Sequence, residues 1–285
     1  MGAVILDGRA LAKTLREELR ADVQRFSESA GYAPSLAVVQ VAGDAASERY
    51  LRTIRRGCED VGITFAAHTL PADTTQGALE ALVKELSADP GVSGVLLQVP
   101  LPPGLDAASA IAHIDPRKDV DGVHPYNAGL LAQGLPGMVP NTPAGGMELL
   151  RRYNIPLQGR RAVVVGRSNV VGKPMALLLL QEHATVTICH SRTADLAAVV
   201  READVVVAAT GRAGLITGAM LKPGAAVVDF GVNVREDGSI VGDVEFDAAA
   251  EVAGAITPVP GGTGPVTNVM LLRNVLRAAQ QLQGA

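Results

Sequence analysis

The segment Ala162-Val163-Val164-Val165-Gly166-Arg167-Ser168-Asn169-Val170-Val171-Gly172-Lys173-Pro174 holds residue types that suit a bound phosphate. An apolar run enters a glycine-containing turn, and Met175-Ala176-Leu177-Leu178 opens a helix behind Pro174. Proline fits a first helical turn because the N–H it lacks would have no partner there. A pyrophosphate at such a helix start meets backbone N–H groups and the positive end of the helix dipole. The spacing departs from G-x-G-x-x-G, since Ser168 stands where the second glycine would be. A plain strand-to-helix turn is the alternative, and the βαβ surroundings favour a nucleotide. The residues assigned to it are Gly166, Arg167, Ser168, Val171 and Gly172.

The nature of the dinucleotide follows from the end of the next strand. NAD sites usually place a carboxylate there, about 20 residues on, to bond the ribose 2′-hydroxyl. Here the strand ends in Cys189-His190-Ser191-Arg192-Thr193, with no acid. Ser191 and Arg192, with Arg167 from the turn, can hold a 2′-phosphate by charge-assisted bonds, which predicts NADP. A solvated, surface Arg192 is the other reading. Val232, beyond the strand Ala226–Asp229, completes the expected cofactor set.

Metal and redox chemistry find little support. Cys58 and Cys189 lie far apart and match no disulfide framework or zinc motif. His68, His113, His124, His183 and His190 are scattered without metal-ligand spacing. The chain has 285 residues, 48% hydrophobic and 19% charged, enough apolar material for two ordinary domains. A net charge of −4 and an aromatic content of 3% argue against nucleic acid. The residues after Met1 lack the basic flank and apolar stretch of a signal peptide, and no apolar run spans a bilayer. A cytoplasmic protein without metal or membrane is expected.

The elements that must position these residues alternate. Leu11, Leu15, Leu19, Val23 and Phe26 share a helix face that Gly31 ends. Leu36–Val41 reads as a strand turned by Gly43-Asp44, Ala46–Val61 as a helix, Thr75–Leu86 as a third helix, and Gly94–Val99 as a buried strand. Residues 115–143 form a long turn-rich stretch, of a length usually functional or linking. A helix from Ala144 to Tyr153 leads to strands at Ala162–Val165, Thr185–Cys189, Val205–Ala208, Ala226–Asp229 and Ala255–Thr257, then a last helix, Pro265–Gln283. This alternation predicts an α/β fold of two α/β domains flanking a cleft, the second a Rossmann-type NADP-binding domain. Its boundaries are residues 1–143, completed by the helix of residues 265–285, and residues 144–264.

Five segments carry a resemblance along essentially the whole chain. They are Ala46-Ser47-Glu48-Arg49-Tyr50, Gln98-Val99-Pro100-Leu101-Pro102, Asp119-Val120-Asp121-Gly122-Val123-His124-Pro125-Tyr126-Asn127, Gly166–Pro174, and Thr257-Pro258-Val259-Pro260-Gly261-Gly262-Thr263-Gly264-Pro265. In this order and spacing the sequence resembles the methylenetetrahydrofolate dehydrogenase/cyclohydrolase family. The resemblance implies a homodimer that oxidises 5,10-methylenetetrahydrofolate to the methenyl form with a nicotinamide cofactor, and often hydrolyses the product to 10-formyltetrahydrofolate. It implies that Tyr50 stacks on the folate, that Asp121 accepts from the pterin's amino-pyrimidine edge, and that Gln98 faces the one-carbon bridge. The Pro260-Gly261-Gly262 loop would let backbone approach the substrate. Read alone, Asp119 and Asp121 can equally be turn-formers, Gln98 a strand-end hydrogen bonder and Tyr50 helix packing.

Four positions depart from the family. Where it has tyrosine followed four residues on by lysine, this chain has Tyr50 and Ile54 on one helix face, expected to point into the same cleft. Isoleucine cannot handle the proton of the hydrolysis, and an arginine at 52, 55 or 56 stays protonated and cannot serve as a base. Asn141 replaces a cysteine, and Thr263 with Asn268 alters the glycine loop near the expected cofactor–substrate junction. The reading that follows is an NADP-dependent dehydrogenase with hydrolysis weakened or lost. A fully bifunctional enzyme and a non-catalytic binding relative are the alternatives.

Overall fold

The computed structural model describes residues 2–42 and 45–284, so the Gly43-Asp44 turn expected above lies outside the described residues. The chain forms two compact units, one of Thr14–Asn141 with the residues from Asn268 on, the other of the residues up to Lys13 with Thr142–Thr267. Elements are numbered in chain order. Strand β1 is Val4–Ile5 and helix α1 is Gly8–Ala30.

In the unit of residues 14–141, strand β2 (Ser35–Val41) is followed by helix α2 (Ala45–Val61), β3 (Thr64–Leu70), α3 (Gln76–Ala88), β4 (Gly94–Leu97), the short α4 (Ala107–Ile111) and α5 (Pro125–Ala132). The sheet order is β3-β2-β4, all parallel. Strands β2 and β4 are apolar because both of their faces are covered, as parallel sheets require. Ala37, Val39, Val95 and Leu97 pack on Leu79, Val83 and Leu86 of α3. Successive strand residues alternate faces, so Gln40 and Gln98 turn the opposite way. Strand β3 was not expected. It is a sheet edge, its residues Thr64, Ala66, Ala67 and Thr69 are exposed, and no buried apolar run marks it.

The other unit holds a six-stranded parallel sheet, ordered β1-β11-β8-β7-β5-β6. Helix α6 (Asn141–Arg152) leads into β5 (Arg161–Val165), α7 (Gly172–Gln181), β6 (Thr185–Cys189), α8 (Leu196–Arg201), β7 (Val205–Ala208) and β8 (Ala226–Asp229). A hairpin of β9 (Asn233–Val234) and β10 (Ile240–Val241), then α9 (Phe246–Val252) and β11 (Ala255–Ile256) complete it, and the last helix, α10 (Thr263–Gln283), starts here and passes from Asn268 into the unit of residues 14–141. The start of the chain, expected with the first domain, pairs here: Val4 and Ile5 add a strand beside Ala255 and Ile256. Two residues are too few for a sequence period to show.

Several boundaries move. Helix α6 begins at Asn141 and takes Thr142 and Pro143 into its first turn, where proline's missing donor costs nothing. Helix α7 begins at Gly172, ahead of Pro174, for the same reason. Part of the turn-rich stretch is helix α5, with Pro125 at its start and His124 Nδ1 accepting from Tyr126 N–H at 3.0 Å.

Candidate active site

In the unit of residues 14–141, a parallel bridge from Val95 to Asp119 carries the chain along the edge of β4, and Asp121 follows it. The two acids part company there. Asp119 is fully buried and accepts from His124 N–H (2.8 Å), Val123 N–H (3.3 Å) and Asn127 Nδ2 (2.8 Å), so it builds the turn. Asp121 does not. Its Oδ1 accepts from Asn141 Nδ2 at 2.9 Å, and Asn141 Oδ1 accepts from Asn274 Nδ2 at 2.9 Å. Asn274 also reaches the carbonyls of Val120 and Val139, each at 3.0 Å. Gly122, between these carbonyls, has φ +69, and a Cβ there would lie 2.4 Å from the Val139 carbonyl carbon. Burial pushes Asp121 up to about 6, the Asp119 charge adds to it, and the Asn141 donation opposes it.

Tyr50 stands on α2, 38% exposed. Its phenol is pushed up to about 12, first by desolvation and then by the charge of Asp121, so the two residues share one electrostatic environment. Ile54 follows one helical turn later on α2. It is 3% exposed, part of the core. Arg52, Arg55 and Arg56 are all exposed. Arg52 pairs with Glu48 at 3.9 Å, and Arg55 lies 5.2 Å from the Phe65 ring centroid.

Gln98, just past β4, is buried and its Nε2 donates to Ser47 O of α2 at 2.7 Å. Its Oε1 meets no donor among the described residues, and the same holds for Oε1 of buried Gln40. Gln40 was missed, although a glutamine near the end of an apolar strand is a signal. Strand β4 stops at Leu97, so Val99, expected as its last residue, is exposed instead. The peptide bonds before Pro100 and Pro260 are cis.

In the other unit, β5, β6 and β7 end beside one another. Strand β6 lies on one side of β5 and β7 on the other, the reversal point where ligands sit in open α/β sheets. A cavity of about 400 Å³ opens there, lined by Gly166, Arg167 and Ser168 after β5, His190, Ser191 and Thr193 after β6, and Thr210 and Arg212 after β7. Gly166 (φ +132) could not carry a Cβ, which would fall 2.1 Å from Ala209 O, and one on Gly172 would fall 2.3 Å from Gly166 O. Ser168 Oγ accepts from Val171 N–H (3.1 Å) and Gly172 N–H (3.3 Å), so the serine closes the turn that a second glycine would leave open. Those two helix-start amides are thus occupied by the chain's own serine.

Arg192, Val171, Gly172 and Val232 do not line this cavity. Gly172 supports the turn from behind, Val232 is exposed before the hairpin, and Arg192 is exposed with its N–H on His190 Nδ1 at 3.1 Å. Thr210 and Arg212 were missed, although the Thr-Gly pair after the strand Val205–Ala208 marks another strand end on the same edge. The glycine loop is packed tightly within this unit. Gly261 (φ +112) accepts from Arg9 N–H at 3.1 Å, and a Cβ on Gly262 would meet Pro258 O at 2.5 Å. Their close approach is to the chain's own backbone, with Pro260 at the exposed tip. Thr263 spends its hydroxyl on Asp229 O at 3.0 Å.

Among the described residues no group of acids, histidines and cysteines could hold a metal, and no helix is long and apolar enough to cross a membrane. The family model for the tetrahydrofolate dehydrogenase/cyclohydrolase catalytic domain matches residues 6–121, and that for the NAD(P)-binding domain of the same family matches residues 140–283. The bifunctional protein FolD of Roseiflexus sp. (strain RS-1) is 75% identical over 281 residues, covering 99% of this chain and 98% of that protein. The crystal structure of bifunctional FolD from Campylobacter jejuni is 43% identical, with a TM-score of 0.96 over 98% of this chain and 99% of that one. A Trypanosoma brucei methylenetetrahydrofolate dehydrogenase-cyclohydrolase, solved with NADP cofactor and inhibitor, is 40% identical with a TM-score of 0.94 over 100% of both chains. Matches of this identity along both units lead to one conclusion, already implied by the five sequence segments: the chain belongs to the tetrahydrofolate dehydrogenase/cyclohydrolase family.

Proposed function

We propose that this protein oxidises 5,10-methylenetetrahydrofolate to 5,10-methenyltetrahydrofolate with NADP, and that it hydrolyses the product weakly or not at all. The folate role falls to the unit of residues 14–141 and the NADP role to the unit of residues 142–267. The observation that carries the second clause is Ile54, 3% exposed and without an ionisable group, among arginines that face solvent. Hydrolysis of the methenyl form requires a proton to leave water, and a guanidinium cannot take it.

Oxidation asks for less. A hydride leaves the one-carbon bridge and the folate is left as a cation, so proximity and orientation are the requirement. Bound NADP supplies the hydride acceptor. Gly166 and Gly172 permit the tight turn, and Arg167 and Arg212 give the cavity positive charge for phosphates. Asp121, ionised above about 6, accepts a pair of N–H groups from the pterin edge. Tyr50 stays neutral at any working pH and offers a ring face. Gln98, held by Ser47, presents an acceptor that no donor meets among the described residues.

The homodimer expected of the family belongs to the same proposal, supported by the exposed Val232, Val234 and Ile240 about the hairpin; sedimentation at working concentration tests it. The cytoplasmic setting rests on two buried, unpaired cysteines, Cys58 and Cys189. The test of function is one time course with methylenetetrahydrofolate and NADP, following NADPH and methenyl product together. NADPH and methenyl rising in step, with methenyl decaying only at the rate of the blank, is expected. Enzymatic consumption of methenyl overturns the hydrolytic clause, and no NADPH overturns the whole.

A further inference from the structure

A buried polar network lies behind the turn that closes the cofactor cavity. Asp243, fully buried just after β10, takes three donors on Oδ2: Thr210 N–H at 2.5 Å, Thr210 Oγ1 at 2.9 Å and Gly211 N–H at 2.9 Å. Its Oδ1 accepts from Asn233 Nδ2 at 2.9 Å. A second carboxylate seats the first. Asp229, at the end of β8, accepts from Asp243 N–H (3.1 Å), Gly231 N–H (2.7 Å) and Val244 N–H (2.9 Å). Glycines make room for both: a Cβ on Gly242 would fall 1.9 Å from Asp229 Oδ2, and one on Gly231 2.3 Å from Asp243 Oδ1.

Neither acid lines the cavity, but Thr210 and Arg212 do. Turns after strands are otherwise the mobile parts of a fold, and a charged acceptor taking several donors is among the stronger ways to fix one. Arg212 N–H donates to Thr210 Oγ1 at 3.2 Å, so the same hydroxyl links the carboxylate to the arginine's own backbone. We propose that Asp243 is a positioning residue for the cofactor, fixing the Thr210–Arg212 turn against it, with Asp229 holding Asp243 in place. This rests on reading the cavity as the NADP site.

The test compares wild type with Asp243→Asn, Thr210→Val and Thr210→Ser, by NADPH fluorescence binding and by kcat and KM for each substrate. An asparagine keeps the shape but sets an N–H₂ or a weaker oxygen against three donors. Asp243→Asn is expected to raise the NADPH Kd at least about tenfold, loss of a charge-assisted bond being worth that much. The KM for methylenetetrahydrofolate should stay within about twofold, since additive effects are the rule for groups without shared partners. Thr210→Val should weaken NADPH binding severalfold, and Thr210→Ser, which keeps the hydroxyl, should restore it. A folded Asp243→Asn with unchanged Kd overturns the proposal, as does Thr210→Ser as damaged as Thr210→Val, or an equal rise in both KM values. If Asp243→Asn does not fold, the Thr210 pair decides. If wild type itself fails to bind NADPH, the cavity reading falls along with this one; normal wild-type binding with unaffected variants removes this one alone.

Discussion

Asp121 titrates near 6 because burial and the neighbouring Asp119 both disfavour its charged form. The folded value lies above the unfolded 3.8, so this group favours folding at low pH and that contribution is lost as pH rises through the window between them. On the proposed reading of Asp121 as the pterin's acceptor, substrate binding has the opposite sense. Only the ionised carboxylate accepts two N–H groups, so the KM for methylenetetrahydrofolate should rise as pH falls through about 6. Asn141 donates to the ionised form, and Asn141→Ala should move that acid limb to higher pH. An unmoved limb in the pH profile of kcat/KM would remove Asn141 from the site. The family's cysteine at this position is a weaker donor, which gives the departure a physical meaning. Ile54 makes a second residue-scale case. Ile54→Lys would put an amine where burial depresses its pKa toward working pH, the condition for a general base. Methenyl consumption should rise by about 10²-fold, at a stability cost of about 1–3 kcal/mol for desolvation. A variant that stays folded and consumes no methenyl would show that the lysine alone does not restore hydrolysis.

At the scale of elements, what could be read in the sequence was whatever burial writes into it. Strands β2, β4, β5, β7 and β8 are nearly continuous apolar runs because both of their faces are covered, and they were found from those runs. Strand β3 is an edge and reads as mixed polar sequence. Strand β1 and the hairpin are two residues to a strand, shorter than any period. The site divides in the same way. Gly166, Ser168 and Asp121 stand in motifs, whereas Gln40, Thr210 and Arg212 carry only the weak signal of a polar residue at a strand end, and Asn274 gains its part from neighbours that the fold brings from elsewhere in the chain. Serine in place of the second glycine departs from the nucleotide motif, and its hydroxyl occupies two helix-start amides. The turn therefore depends on its remaining glycines. Gly172→Ala would drive a methyl to 2.3 Å from Gly166 O, a backbone atom that cannot move alone. Overpacking of this kind costs about 1–3 kcal/mol. We expect a lowered Tm together with loss of NADPH fluorescence binding; full affinity in the variant would show that the cofactor does not use this turn.

For the whole molecule, the chain's division matters more than its length. Each unit is assembled from two stretches of sequence, and residues 268–285 complete the unit of residues 14–141. From that stretch Val269, Leu272, Val275, Leu276 and Ala279 are buried, and Asn274 supports the turn of Asp121 through Asn141. Four large apolar side chains at about 1.5–3 kcal/mol each amount to roughly 6–12 kcal/mol, comparable with the whole stability of an ordinary domain. A chain ending at Thr267 should therefore lose the smaller sheet and keep the larger one, whose six strands all lie before that point. Hydrogen exchange should show residues 36–41 and 94–97 unprotected, while residues 162–165, 205–208 and 226–229 remain protected and NADPH still binds. Protection of the first two segments at the level of the full chain would mean that the unit holds its core without α10, and that Asn274 shapes the turn without being needed to hold the fold. Loss of protection in both sheets would mean that the two units unfold as one.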